Sequence, residues 1–101
     1  MVDAPDTDAD HIEVVWSRPE AQEFGARVRK LRAQSELTQE QLAHLVGLTK
    51  NHVQLLEAGR NSSKADGPAS NPRMTTIYRI ADAFGVRPHE LLPESAKLSE
   101  T

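Results

Sequence analysis

From Phe24 to Leu92 apolar residues recur every three or four positions, interrupted at intervals by Ser, Thr, Gly and Pro. That spacing predicts short amphipathic helices separated by tight turns. Phe24, Val28 and Leu31 form the buried stripe of a first helix over Pro19–Ala33, with Ser17 and Glu20 spaced as a capping box and Pro19 in the first turn. Thr38 and Gln41 repeat the capping-box spacing, so a second helix starts at Gln39 and buries Leu42, Ala43 and Val46. Gly47 then falls where the chain turns sharply, Leu48 plugs the corner, and Thr49 caps a third helix opened by Lys50. Val53 and Leu56 form its buried stripe and Gly59 ends it. Residues 60–72 read as a loop rich in Ser, Asn, Gly and Pro. A fourth helix spans Met74 to Phe84, burying Ile77, Ile80, Ala81 and Phe84 and ending at Gly85, with Met74 and Tyr78 expected in the core and at its rim. A short fifth helix from Pro88 seats Leu91 and Leu92. The expectation is an all-α domain of five helices.

The second and third helices have the proportions of a helix-turn-helix, a unit that lays its second helix in the major groove of DNA. At about 100° per residue, Asn51, Gln54, Leu55 and Ala58 lie opposite Val53 and Leu56. Asn and Gln pair with adenine, Lys donates to guanine, and Leu touches a thymine methyl. Lys50 stands at a helix N-terminus, where a cation opposes the helix dipole and local stability does not account for it. Taken alone, this face also fits a solvated helix surface. Joined to the caps and the turn glycine, it makes Lys50, Asn51, Gln54 and Leu55, on helix 49–58, the expected base-reading residues.

The chain has 101 residues, enough for one modest core. It has no cysteine, which excludes disulfides and thiolate metal sites. Its four histidines, His11, His44, His52 and His89, lie far apart, so no metal is expected. No glycine-rich phosphate loop or nucleophile turn is present, and neither catalytic residues nor a cofactor are expected. Without a membrane-length apolar run or a signal-like N-terminus, a soluble cytoplasmic protein with no membrane partner is expected.

The net charge of −3 argues against nucleic acid until it is divided along the chain. Residues 1–17 carry −5, residues 18–92 carry +3 and residues 93–101 carry −1. The expected organisation is an acidic, largely disordered arm (1–17), a mildly basic domain (18–92) and a frayed tail (93–101). Solubilisation is the expected role of the arm; competition with phosphates for the basic surface, or binding of a protein partner, are the alternatives. The apolar cluster Ile12 to Trp16 either docks the arm on the domain or enters a dimer interface.

Three blocks occur in order: Phe24-Gly25-Ala26-Arg27-Val28-Arg29-Lys30-Leu31-Arg32, the Thr38–Arg60 unit, and Asn71-Pro72-Arg73-Met74-Thr75-Thr76-Ile77-Tyr78-Arg79-Ile80-Ala81-Asp82-Ala83-Phe84-Gly85-Val86, followed by Pro88-His89-Glu90-Leu91-Leu92. Over Phe24–Leu92 the chain resembles the Cro/C1-type (xenobiotic-response-element-like) helix-turn-helix regulators. The resemblance implies a compact five-helix, lambda-repressor-like domain that binds double-stranded DNA as a homodimer. It also implies an ion pair between Arg32 and Glu57 and a backbone phosphate contact from Gln39. Arg60, Lys64 and Arg73 flank the recognition helix and complete the expected phosphate set. The chain departs from the family in a longer 60–72 loop and in Arg73 and Arg87, which replace small helix caps. Two functions fit: a transcriptional regulator, expected to be a repressor, acting as a homodimer on a palindromic operator, or an antitoxin-like module whose arm binds a protein partner.

Overall fold

The computed structural model describes residues 16–94. The acidic arm through residue 15, including Ile12, Val14 and Val15, and the tail from residue 95 lie outside the described residues. Four α-helices follow in order: α1 (Arg18–Gln34), α2 (Gln39–Val46), α3 (Lys50–Ala58) and α4 (Met74–Phe84). A 3-10 turn, Pro88–Leu91, stands where a fifth helix is expected. Two prolines explain the correction. Pro88 opens the turn, and Pro93 can neither donate to a continuing helix nor leave Leu92 free to take helical backbone angles; Leu92 is extended, with ψ 134°.

The core joins all these elements. Phe24 and Val28 of α1, Leu42, Ala43 and Val46 of α2, Val53 and Leu56 of α3, Ile77, Ile80 and Ala81 of α4, and Leu91 form one buried cluster. Trp16, Leu31, Leu48, Phe84, Val86 and Leu92 close around it. Trp16 sits edge-on to Phe24 with ring centroids 6.3 Å apart, and its indole N–H donates to the Ser70 carbonyl at 2.8 Å. Thus Trp16 docks on its own chain. Met74 is not in the core: it is 63% exposed and Tyr78 56%, one turn apart on the outer face of α4. Thr76 takes an inward position instead.

Every α-helix ends with a Schellman closure, in which one left-handed residue folds the next N–H back onto the last turn. Gly47, Gly59 and Gly85 serve α2, α3 and α4, at φ 73°, 74° and 67°. The closure of α1 uses Glu36, at φ 57°, with Glu36 N–H on the Ala33 carbonyl and Leu37 N–H on the Arg32 carbonyl. At the start of α1, Glu20 accepts from the Ser17 N–H at 3.0 Å and the Ser17 hydroxyl at 2.7 Å. Those bonds, the hydroxyl's first, hold the Glu20 carboxyl below its ordinary pKa. Arg73 caps α4 with no side-chain bond. Arg87 is a better start than its side chain suggests, because Glu90 reaches back to the Arg87 N–H at 2.7 Å.

Gly25 brings α1 and α3 together. A Cβ there would lie against the Leu56 and Glu57 carbonyls, 2.6 Å from the latter oxygen. The absent side chain therefore lets the backbone of α3 seat directly on α1, and the orientation of α3 follows from that contact.

The 60–72 connection is ordered on itself. Arg60 and Ala69 form an antiparallel bridge, Asn61 N–H donates to the Pro68 carbonyl at 3.1 Å and Ser70 N–H to the Gly59 carbonyl at 3.0 Å. No helix among the described residues is long and apolar enough to cross a membrane.

Candidate nucleic-acid interface

The α2–turn–α3 unit is locked at both of its starts. Thr38 Oγ1 accepts the Gln41 N–H at 3.0 Å while Gln41 Oε1 accepts the Thr38 N–H at 2.8 Å. Thr49 Oγ1 accepts the His52 N–H at 3.0 Å. With Val53 and Leu56 buried, α3 has one rotational setting, and Lys50, Asn51, His52, Gln54 and Ala58 are exposed. Among the described residues, the side chains of Lys50, Asn51 and Gln54 have no hydrogen-bond partner; their donors and acceptors are free for an external ligand. Leu55 is only half exposed because it borders a shallow groove shared with His52, Arg60, Asn61, Asn71 and Pro72.

Beneath this face lies a charged hub. Glu57, with 4% of its side chain exposed, accepts from Arg32 Nε at 2.6 Å and Arg32 Nη2 at 3.2 Å. Gln39 Nε2 donates to the same carboxylate at 3.0 Å, and Arg32 Nη1 reaches the Leu37 carbonyl at 2.8 Å. The Arg32–Glu57 pair thus ties α1, the α1–α2 turn, α2 and α3 together. A two-pronged Arg–carboxylate pair fixes geometry well while adding little net stability. Gln39 is half-buried and already committed to Glu57 through one amide hydrogen, leaving its second for an anion at the α2 N-terminus.

The expected phosphate residues do not form one cluster. Gln39 shares a polar groove with Arg32, Thr38 and Lys50, beside the C-terminal part of α1. Lys64 stands at the tip of the 60–72 loop, and that tip is bonded to Arg18 at the opposite end of α1 through the Ala65 and Gly67 carbonyls. A helix of 17 residues puts those ends about 25 Å apart at 1.5 Å per residue. Arg60 is half-buried, with Nη1 3.4 Å from the Ser63 carbonyl, and Arg73 is exposed at the start of α4.

Arg29 joins the candidate interface, although its sequence neighbourhood does not single it out. It lines a groove with Arg32, Gln39, Gln54 and Glu57, is exposed and has no bonded partner among the described residues. Its one signal in the sequence is its place on the first helix, three residues before Arg32. Only the α1–α3 crossing brings it beside Gln54.

Known proteins share the helix-turn-helix fold. Residues 23–94 match the helix-turn-helix domain family. The cryptic phage CTXphi transcriptional repressor RstR of Vibrio cholerae is 31% identical over 72 residues, 71% of this chain and 57% of that repressor. The chain therefore spans little more than half of RstR. The restriction-modification controller protein C.AhdI of Aeromonas hydrophila superposes with a TM-score of 0.60 at 33% identity, over 71% of this chain and 96% of the controller. Hydroxypropylphosphonic acid epoxidase of S. wedmorenis also superposes, at a TM-score of 0.62, but at 23% identity and over 36% of its own length, which is a likeness of fold alone. The chain belongs to the Cro/C1-type helix-turn-helix family of DNA-binding transcriptional regulators.

Proposed function

We propose that the protein is a sequence-specific regulator that reads the major groove with α3 and represses transcription by occupying its operator. The observation that carries this reading is the exposed row Lys50, Asn51 and Gln54, unpartnered on a helix whose setting is fixed by two caps, a left-handed turn and the Glu57 hub. Asn51 and Gln54 suit adenine, Lys50 suits guanine or a nearby phosphate, and Leu55 packs against a thymine methyl at the groove edge. Gln39, Arg60, Lys64 and Arg73, joined by Arg29, are the backbone candidates. The split of these residues between the two ends of α1 suits contacts to separate stretches of the duplex backbone.

A homodimer on a palindromic site completes the reading. Met74 and Tyr78 support it, as an apolar pair on the outer face of α4. The partner-binding alternative loses Trp16, which its own domain already uses. Selection from a random duplex library with the purified full chain tests the proposal. A palindromic motif with fixed half-site spacing is the expected product; recovery of unenriched sequences would overturn it.

A further inference from the structure

The 60–72 loop is held by a residue that stands apart from the recognition helix. Arg18, in the first turn of α1, donates Nη1 to the Ala65 carbonyl at 2.9 Å and Nη2 to the Gly67 carbonyl at 2.7 Å. Gly67 is buried, and a Cβ on it would run into the Ser62 hydroxyl. Trp16 holds the next stretch through Ser70. At the loop's other margin, Asn61 and Asn71 border the groove that also contains His52 and Leu55 of α3. Both asparagines are exposed, and neither amide has a partner among the described residues.

Resting on the DNA-binding reading above, we propose that Arg18 is a positioning residue: it fixes the loop so that Asn61 and Asn71 meet the sugar–phosphate backbone beside the bases read by α3. The guanidinium fork suits this task. Its two parallel N–H groups satisfy two carbonyls at once, which a lysine ammonium on a flexible stem does less well. A loop ordered before binding removes an ordering cost from association. The contacts Arg18 prepares are made by neutral amides, which bind backbone oxygens without releasing counterions.

Those properties separate positioning from a direct charge contact. Titration of a selected operator with wild type, Arg18→Ala, Arg18→Lys, Asn61→Ala/Asn71→Ala and the combined Arg18→Ala/Asn61→Ala/Asn71→Ala chain, at several salt concentrations, is the test. Arg18→Ala and Arg18→Lys are both expected to bind about tenfold more weakly, the scale of losing charged hydrogen bonds. Lys64 rides on the same loop, so the comparison is made in a Lys64→Ala background, where Arg18→Ala should leave the log–log salt slope unaltered and should cost nothing further once both asparagines are replaced as well. Wild-type affinity in Arg18→Lys, a slope flattened by Arg18→Ala in the Lys64→Ala background, or losses that simply add there would each overturn the proposal. A wild-type protein that selects no sequence defeats the DNA-binding reading itself, whereas a binding wild type with an indifferent Arg18→Ala defeats only this inference. Thermal unfolding of Arg18→Lys, which keeps the charge, shows whether the fold survives independently of the affinity.

Discussion

Gly25 faces the Leu56 carbonyl so closely that no side chain fits between them. Helix propensity alone favours alanine over glycine by about 1 kcal/mol inside a helix. Here the steric term has the opposite sign, because the obstacle is backbone and cannot rotate away. Gly25→Ala is expected to lower stability by about 2–3 kcal/mol in urea unfolding, at the upper end of overpacking costs. A stabilised variant would mean that α1 and α3 do not cross at this distance.

Glu36 closes α1 in the left-handed region, at φ 57°. An L-residue there costs about 1–2 kcal/mol, partly offset in any exchange for glycine by the greater chain entropy of the unfolded state. Glu36→Gly should therefore raise stability by about 0.5–1 kcal/mol, read as an upward shift of the urea midpoint with an unchanged slope. A downward shift would contradict the assigned geometry.

The Glu57 hub predicts strong non-additivity. Arg32→Ala leaves a carboxylate of 4% exposure with Gln39 as its remaining side-chain partner, and a cost of about 3 kcal/mol is expected. Arg32→Met combined with Glu57→Leu should cost much less than the sum of the separate losses, because no buried charge is left without its partner. A double-mutant cycle with no coupling would dissolve the hub.

Caps and turns were the legible part of this fold because their chemistry is local. Thr38 with Gln41, Thr49 and Gly47 carry their meaning within a few residues, so the starts of α2 and α3 and the turn between them follow from sequence. Contacts that depend on how helices cross leave no such trace. Gly25 reads as a weak point in a helix until α3 lies on it, and Arg29 reads as a surface charge until the same crossing puts it beside Gln54. Arg18 bonds to carbonyls 47 and 49 residues away, and backbone carbonyls carry no residue-type signal. The Ile77, Ile80 and Ala81 stripe of α4 was plain, but Met74 at its edge looked equally apolar; only the position of the neighbouring elements leaves it outside. The fifth helix failed as an expectation because Leu91 and Leu92 are apolar as a helix stripe demands, while Pro93 stops the helix after one turn.

Salt dependence sorts the backbone candidates. Each phosphate neutralised by a cation contributes about −0.9 to the slope of log affinity against log salt. Arg29→Ala, Arg60→Ala and Arg73→Ala are expected to weaken selected and random DNA alike and to flatten that slope. Gln39→Ala should lower affinity with the slope unchanged, since its amide is neutral. A cationic variant with an unaltered slope leaves the phosphate set.

The proposed base reading by α3 rests on Asn51 and Gln54, and titration of the selected operator with the two alanine variants at one fixed salt concentration decides it. Neither residue is buried, so unfolding midpoints should match wild type. Each variant should lose about 1–3 kcal/mol of binding and relax the preference at one base position per half-site, the scale of a broken two-pronged base contact. Wild-type affinity and wild-type base preference in both variants would show that α3 does not read bases through these residues.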